Sequence, residues 1–168
     1  MPPKTLIRTA ASSDLPAINN IYNFYVINST CTYQEVPSSA HERRLWFESH
    51  GASHPIIVAE LHQQIVGYGA LSPFHRRSAY RFTAENSVYV RDDMRGQGIG
   101  RELLLDLLDR ARLLRFRAII ALVDAEQESS IRLHERHGFA RCAHLKQVGY
   151  KFGRWLDVIY LQCLLAAK

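Results

Sequence analysis

The sequence has 168 residues, of which 47% are apolar and 22% charged, so it predicts one globular domain spanning residues 1–168. No apolar run approaches the roughly 20 residues of a membrane span, and the N-terminus has no apolar signal-peptide segment, so we expect a cytoplasmic protein without a membrane partner. The net charge of +5 is scattered, which disfavours nucleic acid as a partner, and three widely spaced cysteines disfavour a disulfide framework.

The N-terminal part of the chain predicts one strand and two helices, at 5–10, 12–28 and 38–51. In the first helix, apolar residues recur at helical spacing behind Ser13, a residue type that caps helix N-termini. The second helix opens with a capping box, in which Ser39 and Glu42 satisfy free backbone N–H groups. Gly51 is expected to end this helix.

Further along the chain, strands alternate with helices. Strands are predicted at 55–60, 65–72, 84–90, 117–124 and 155–165, and helices at 99–114 and 129–139. The polar stretch LHQQ joins the first two of these strands into an antiparallel hairpin. The longer helix carries leucine and alanine along one face, as a helix packed on a sheet does. This order of elements predicts a mixed α/β fold in layers.

A glycine-rich turn, RGQGIG at 95–100, joins a predicted strand to the longer helix. Gly96, Gly98 and Gly100 allow a ligand to approach the backbone, and the first N–H groups of the helix suit a phosphate. Spacing excludes two nucleotide motifs, because a P-loop requires a lysine that is missing and a dinucleotide fingerprint requires glycine where Arg101 stands. A turn that only begins a helix is the other interpretation.

Residues 95–100 resemble the Q/R-x-x-G-x-G/A signature of the GNAT N-acetyltransferases. The stretches TAENSVYV, DAEQESSIRLHERHGF and GYKFGRWLDVIYLQ resemble, in the same order, the branch of that family that includes phosphinothricin and methionine sulfoximine acetyltransferases. The resemblance covers nearly the whole chain. It implies the acyl-CoA N-acyltransferase fold, with a central, mostly antiparallel sheet flanked by helices, and it implies a homodimer.

Acetyl-CoA is the co-substrate that the resemblance implies. Its pyrophosphate would lie on the glycine turn, and its pantetheine arm would lie along the preceding strand. The implied cofactor-binding residues are Val88, Tyr89, Val90, Arg95, Gly96, Gln97, Gly98, Ile99, Gly100, Arg101 and Gln127. Gln127 stands where the family often has asparagine. No metal is expected, because His134, His137 and Cys142 lack the spacing of a metal site.

Two residues are candidates for acid–base chemistry. Acetyl transfer requires a base for the ammonium proton, polarisation of the thioester carbonyl and stabilisation of the leaving thiolate. Glu85 stands at the position of the base in the resembled branch, and a solvated carboxylate at a strand start is the alternative. His134 stands where many family members have tyrosine, and it is expected to act as an acid or to orient the base. A backbone N–H near Val88 is expected to polarise the carbonyl.

The acceptor amine is expected to bind over the strand ends. The implied substrate-binding residues are Tyr33, His75, Arg76, Arg77, Tyr80, Glu85, Asn86 and Ser87. A guanidinium from Arg76 or Arg77 suits a carboxylate or phosphinate, and a solvated basic loop is the alternative. The aromatic and basic stretch 149–157 is expected to complete the site, to form a dimer contact or to pack as a plain hairpin.

The leading functional hypothesis is an acetyl-CoA-dependent N-acetyltransferase acting on the α-amine of a small amino acid or analogue, of the phosphinothricin and methionine sulfoximine type. The second hypothesis keeps the chemistry and changes the acceptor to a polyamine, an antibiotic or a protein N-terminus. The third is a non-catalytic CoA-binding module, which loss of Glu85 would favour. A fold resemblance alone does not identify the acceptor.

Overall fold

The computed structural model describes residues 5–165, so residues 1–4 and 166–168 of the predicted domain lie outside the described range. Within that range, one sheet of seven strands is covered by four α-helices. The strands are β1 Leu6–Thr9, β2 Ile56–Leu61, β3 Gln64–Pro73, β4 Thr83–Val90, β5 Ala118–Asp124, β6 Ala140–Lys151 and β7 Arg154–Leu164. The helices are α1 Leu15–Asn28, α2 Ala40–Glu48, α3 Ile99–Leu113 and α4 Glu128–Arg136. The predicted mixed α/β fold is confirmed.

The sheet is split at its centre. Its strand order is β1-β2-β3-β4-β5-β7-β6, and every neighbouring pair is antiparallel except β4 and β5. These two parallel strands pair only where both begin, at 83–85 with 118–120. Within the described range no pairing between them continues beyond Glu85, so a wedge opens between β4 and β5.

Each face of the sheet carries its own core. The buried leucines of α3 pack on one face against Ile57, whereas α1 packs Ile18 and Tyr25 on the other face against Val58. Adjacent strand residues serve opposite cores because side chains alternate across a sheet. Full burial of side chains of this size stabilises the fold by about 1.5–3 kcal/mol each. No helix within residues 5–165 is long and apolar enough to cross a membrane.

The structure corrects the predicted number of strands. The sequence predicts six, and β6 is the seventh. This edge strand pairs only with β7, and most of its side chains are exposed on both faces, so it has no alternating apolar pattern. A register shift also interrupts the pairing between Leu145 and Gly149. The stretch 149–157 does form a hairpin, in which Tyr150 lies opposite Trp155.

The helix boundaries follow the predictions with small differences. Ser39 and Glu42 form the predicted capping box at the start of α2. A 3₁₀ turn precedes α1, and there the carboxylate of Asp14, rather than Ser13, accepts an upstream backbone N–H. α2 ends at Glu48, before Gly51. These shifts leave the order of the elements unchanged.

Candidate active site

A cavity of about 810 Å³ occupies the wedge between β4 and β5. One part of it is lined by residues 94–96 and 98–101, from the glycine turn and the start of α3, together with α4. Another part is lined by residues 30–33, which follow α1, together with Glu85 and the end of β5. We call the first part the turn end and the second part the loop end. β4 runs along the cavity and contributes to both.

The free edge of β4 faces the wedge. The Arg91 N–H donates to the carbonyl of Val66 at 2.8 Å, and hydrogen-bonded pairs alternate along an antiparallel ladder. The C=O of Asn86 and the N–H and C=O groups of Val88 therefore point away from β3 and toward the wedge, whereas the Asn86 N–H belongs to the last pairing with β5. An extended ligand can bind to such an edge as an added strand does.

The glycine turn has the geometry of an anion site. Gly96 and Gly98 have φ angles of 76° and 87°, in the left-handed region that strains residues with a Cβ. Gly98 caps α3, and the first intrahelical bond there is donated by the Glu102 N–H to the Gly98 carbonyl at 3.1 Å. The N–H groups between them have no intrahelical partner and suit a phosphate. Arg95 and Arg101 line the same end and add positive charge.

The loop end contains two carboxylates. Glu85 is half-buried where the wedge opens, and burial raises the pKa of its carboxyl group above the ordinary value. Asp124, at the end of β5, is 5% exposed. One oxygen of Asp124 accepts from the Tyr33 hydroxyl at 2.7 Å, and the other accepts from the Glu126 N–H at 2.8 Å. The residues that line this end include the carboxylates of Glu85 and Asp124 but no arginine or lysine. The loop end therefore suits a cationic amine.

The structure places His134 beside Asn86 rather than in the cavity. It is buried and is absent from the cavity lining. Its Nδ1 donates to the Ser130 carbonyl at 2.8 Å, so its Nε2 accepts from the Asn86 side-chain amide at 3.0 Å. Burial lowers the pKa of His134, which keeps the ring neutral near neutral pH. His134 therefore orients Asn86, whose Oδ1 has no hydrogen-bond partner in the described part of the chain.

The structure gathers nearly all of the expected cofactor-binding residues around the cavity. Those that line it are Val88, Tyr89, Val90, Arg95, Gly96, Gly98, Ile99, Gly100, Arg101 and Gln127. Gln97 does not line it, and its exposed amide instead contacts the sulfur of Met94 at 3.7 Å. Gln127 also donates from its side-chain amide to the Thr30 hydroxyl at 3.3 Å, so it joins the two ends of the cavity.

The expected acceptor-binding residues are divided. Tyr33, Glu85, Asn86 and Ser87 line the cavity. The others, His75, Arg76, Arg77 and Tyr80, do not line it. All four are exposed on the loop between β3 and β4, where the rings of His75 and Tyr80 contact each other at a tilt of 40°. This placement agrees with the solvated basic loop that was the alternative, and the arginine clamp stays a prediction.

Several lining residues were missed by sequence reasoning. They come from separate segments and include Thr30, Cys31, Thr32, Leu122, Val123, Asp124, Ser130, His137 and Val158. Asp124 offered one signal, because a polar residue at the end of a buried strand is well placed for a site. Residues 30–32 offered none, because they have no motif and reach the cavity only through the fold.

Known proteins resemble this chain over most of its length. The family described as Acetyltransferase (GNAT) domain matches residues 7–160. The L-methionine sulfoximine/L-methionine sulfone acetyltransferase of Pseudomonas aeruginosa is 40% identical over 158 residues, which cover 93% of this chain and 92% of that protein. The phosphinothricin N-acetyltransferase of Alcaligenes faecalis is 41% identical over 158 residues, covering 93% and 80%. The crystal structure of a GNAT phosphinothricin acetyltransferase from Sinorhizobium meliloti in complex with acetyl-CoA has a TM-score of 0.93 at 39% identity, covering 96% and 89%.

Proposed function

The chain belongs to the GNAT family of acetyltransferases, and we propose that it transfers the acetyl group of acetyl-CoA to the α-amine of a small amino acid. Methionine sulfone, methionine sulfoximine and phosphinothricin are the proposed acceptors, because the similar curated proteins are named for them. One observation carries the proposal: the wedge beyond Glu85 brings a free strand edge, a glycine turn and a half-buried carboxylate to one cavity.

In this proposal acetyl-CoA extends from the turn end toward Glu85. Its pyrophosphate accepts hydrogen bonds from the N–H groups at the start of α3 and is balanced by Arg95 and Arg101. Its pantetheine arm pairs with the edge of β4 that faces the wedge. The thioester then lies near Val88, whose N–H is free of the β3 ladder and donates to the carbonyl oxygen.

Glu85 supplies the base in the proposed reaction. Its carboxylate takes one proton from the acceptor ammonium, and the neutral amine attacks the thioester carbonyl. A C–N bond forms, the negative charge on the carbonyl oxygen is stabilised by backbone N–H groups, and the C–S bond breaks. The nitrogen loses its second proton to the departing thiolate, so CoA leaves as the free thiol, and Glu85 releases its proton to water. A raised pKa makes Glu85 a stronger base than a solvated carboxylate, which favours the first of these steps.

Asp124 and Tyr33 are the proposed acceptor-binding partners of Glu85. The buried carboxylate of Asp124 attracts the ammonium group, and the Tyr33 hydroxyl fixes the orientation of that carboxylate. Asn86 and Ser87 complete this wall from β4. His134 acts through Asn86 and does not itself donate a proton.

An acceptor panel tests the proposal. Release of free CoA thiol is followed with acetyl-CoA and methionine sulfone, methionine sulfoximine or phosphinothricin, next to their decarboxylated analogues, spermidine and an alanine-ended peptide. We expect the amino acids to react with the highest kcat/KM. Faster reaction of spermidine or the peptide would contradict the amino-acid acceptor and support the second hypothesis, a polyamine or protein N-terminus as acceptor. Binding of CoA without transfer to any amine would support the non-catalytic module.

We also propose a homodimer formed through the β6–β7 hairpin. Its outer face exposes large apolar side chains, with Tyr150 52% and Trp155 62% accessible. Aromatic residues are enriched where protein surfaces associate. Light scattering at micromolar concentration should give twice the chain mass, and Trp155→Ser should shift the protein toward the monomer. A monomeric wild-type protein would refute the dimer.

A further inference from the structure

Lys151 is buried without an acidic partner. It lies at the end of β6 and is 1% exposed. Within residues 5–165, its Nζ donates to two backbone carbonyls, those of Ser29 and Thr32, both at 2.7 Å, and it forms no ion pair. Burial lowers the pKa of its ammonium group. The ammonium also lies over the Phe152 ring, 4.9 Å from its centre, and Glu35 attracts it without forming an ion pair. Because neither group is a hydrogen-bonded counter-charge, burying this lysine remains costly and is poorly explained by stability alone.

Both carbonyls belong to the segment that forms the loop end of the cavity. Between the end of α1 and the start of α2, residues 29–39 have no helix or strand. Thr30, Cys31, Thr32 and Tyr33 nevertheless line the cavity together with Glu85. A segment without regular backbone hydrogen bonding takes its shape from the groups that contact it. Lys151 provides two of these contacts with one side chain.

The same hairpin also holds the ring of Tyr33. A Cβ at Gly149 would lie 2.4 Å from Cε2 and 2.6 Å from Cδ2 of that ring, so only glycine leaves room for it. Gly149 lies at the register shift of β6. Gly149 therefore faces the ring of Tyr33, and the hydroxyl of the same ring donates to the carboxylate of Asp124. Gly149 and Lys151 are two residues apart on β6, so one face of this strand contacts both ends of the segment 29–33.

We propose that Lys151 is a positioning residue for the acceptor: it fixes the carbonyls of Ser29 and Thr32, and so holds the wall of the loop end in the shape that binds the amino acid. Gly149 contributes by seating the ring of Tyr33. This inference rests on the proposed function, because it assigns the acceptor to the loop end. Lys151 is absent from the cavity lining, and its hydrogen bonds go to Ser29 and Thr32. Among the described residues, only the hydrogen bond between Gln127 and Thr30 links that segment to the turn end, so we expect binding of the acceptor to depend on Lys151 far more than binding of acetyl-CoA.

The variant Lys151→Met tests the inference, since methionine keeps the apolar stem and removes the donors. We expect KM for methionine sulfone to rise roughly 10- to 100-fold, the usual effect of a misplaced binding wall, while KM for acetyl-CoA stays unchanged. Hydrogen–deuterium exchange should become faster in peptides covering 29–33 and unchanged in peptides covering 94–101. Lys151→Arg, which keeps donors, should lie between the wild type and Lys151→Met. Lys146→Met is the matched control, because Lys146 is on the same strand and exposed.

The outcomes separate the inference from the proposed function. A wild-type enzyme that acetylates none of the amines refutes the proposed function, and the exchange measurement then still decides whether Lys151 holds the segment. An active wild type with an unchanged acceptor KM and unchanged exchange in Lys151→Met overturns the inference. An equal rise in both KM values, or a lower unfolding midpoint with the KM values unchanged, also overturns it, because Lys151 would then support the fold as a whole.

Gly149→Ala provides a second test that keeps the charge in place. Its added Cβ displaces the ring of Tyr33, so KM for the acceptor should rise while KM for acetyl-CoA stays unchanged. In a Tyr33→Ala background the same substitution should have no further effect, because the ring is already gone. Additive effects in the double variant would overturn the role of Gly149 as a seat for Tyr33.

Discussion

The two ends of the cavity differ in the kind of groups that line them. The turn end consists largely of backbone groups from one continuous stretch, residues 94–101, with two arginines beside it. The loop end consists of side chains from separate segments, among them Tyr33, Glu85 and Asp124, held by residues of β6 that do not line the cavity. A backbone site depends on few side chains and can bind the same cofactor in many relatives. A side-chain site changes with every substitution, so it is the part that selects the acceptor.

Loss of the base at the loop end should have the largest effect. We expect Glu85→Gln to lower kcat by roughly 10²–10⁴-fold, because the amide cannot take the ammonium proton. Calorimetry should show an unchanged affinity for acetyl-CoA, since the turn end is intact. Glu48→Gln, at an exposed position on α2, is the control. A kcat near the wild-type value would show that Glu85 is not the base and would support its alternative interpretation as a solvated carboxylate.

A substitution in the turn end should weaken the binding of acetyl-CoA, which Glu85→Gln leaves unchanged. Gly98 has a φ of 87°, so Gly98→Val strains the turn and puts a side chain where the phosphate binds. Affinity for acetyl-CoA should fall roughly tenfold or more, as expected for a strain of about 1–2 kcal/mol. Gly51→Val is the control, because a Cβ there meets no atom within 4 Å and Gly51 is outside the cavity lining. Equal affinity for acetyl-CoA in the wild type and Gly98→Val would contradict the assignment of the phosphate site to this turn.

A smaller loss of kcat is expected for a substitution at His134, because this residue contacts Asn86 but does not line the cavity. His134→Gln keeps a side-chain group that can accept from Asn86, so kcat should fall less than tenfold, well below the 10²–10⁴-fold typical of a lost acid or base. Steady-state kinetics at neutral pH measures this directly. A loss as large as that of Glu85→Gln would show that His134 transfers a proton after all.

The smallest expected effect is a displacement of the pH profile. Burial raises the pKa of Glu85, so its carboxylate forms only at a higher pH than that of an ordinary glutamate. Activity should therefore fall on the acid side at an apparent pKa above 4.5, as pH drops through the pKa of Glu85. The acid limb of kcat/KM should disappear in Glu85→Gln. An identical limb in that variant would assign it to another group.

The sequence predicted the parts of the molecule that lie in continuous patterns. The buried strands and α3 follow from apolar periodicity, and the turn end follows from three glycines beside two arginines. β6 escaped prediction because an edge strand exposed on both faces has no period. Asp124 and Cys31 were not predicted because the fold, not the sequence order, brings them to the loop end, and Lys151 was included only as part of the stretch 149–157 without a role of its own. The sequence could not place Arg76 and Arg77 relative to the cavity, because a pair of charges does not indicate which way a loop points.

The most direct test of the account is a crystal structure of Glu85→Gln with acetyl-CoA and methionine sulfone. The account predicts the pyrophosphate on the N–H groups at the start of α3 and the thioester oxygen roughly 3 Å from the Val88 N–H. The acceptor amine should lie between residue 85 and Tyr33, close to Asp124. Acetyl-CoA bound away from the glycine turn, or an amine outside the loop end, would contradict the division of the cavity into these two ends.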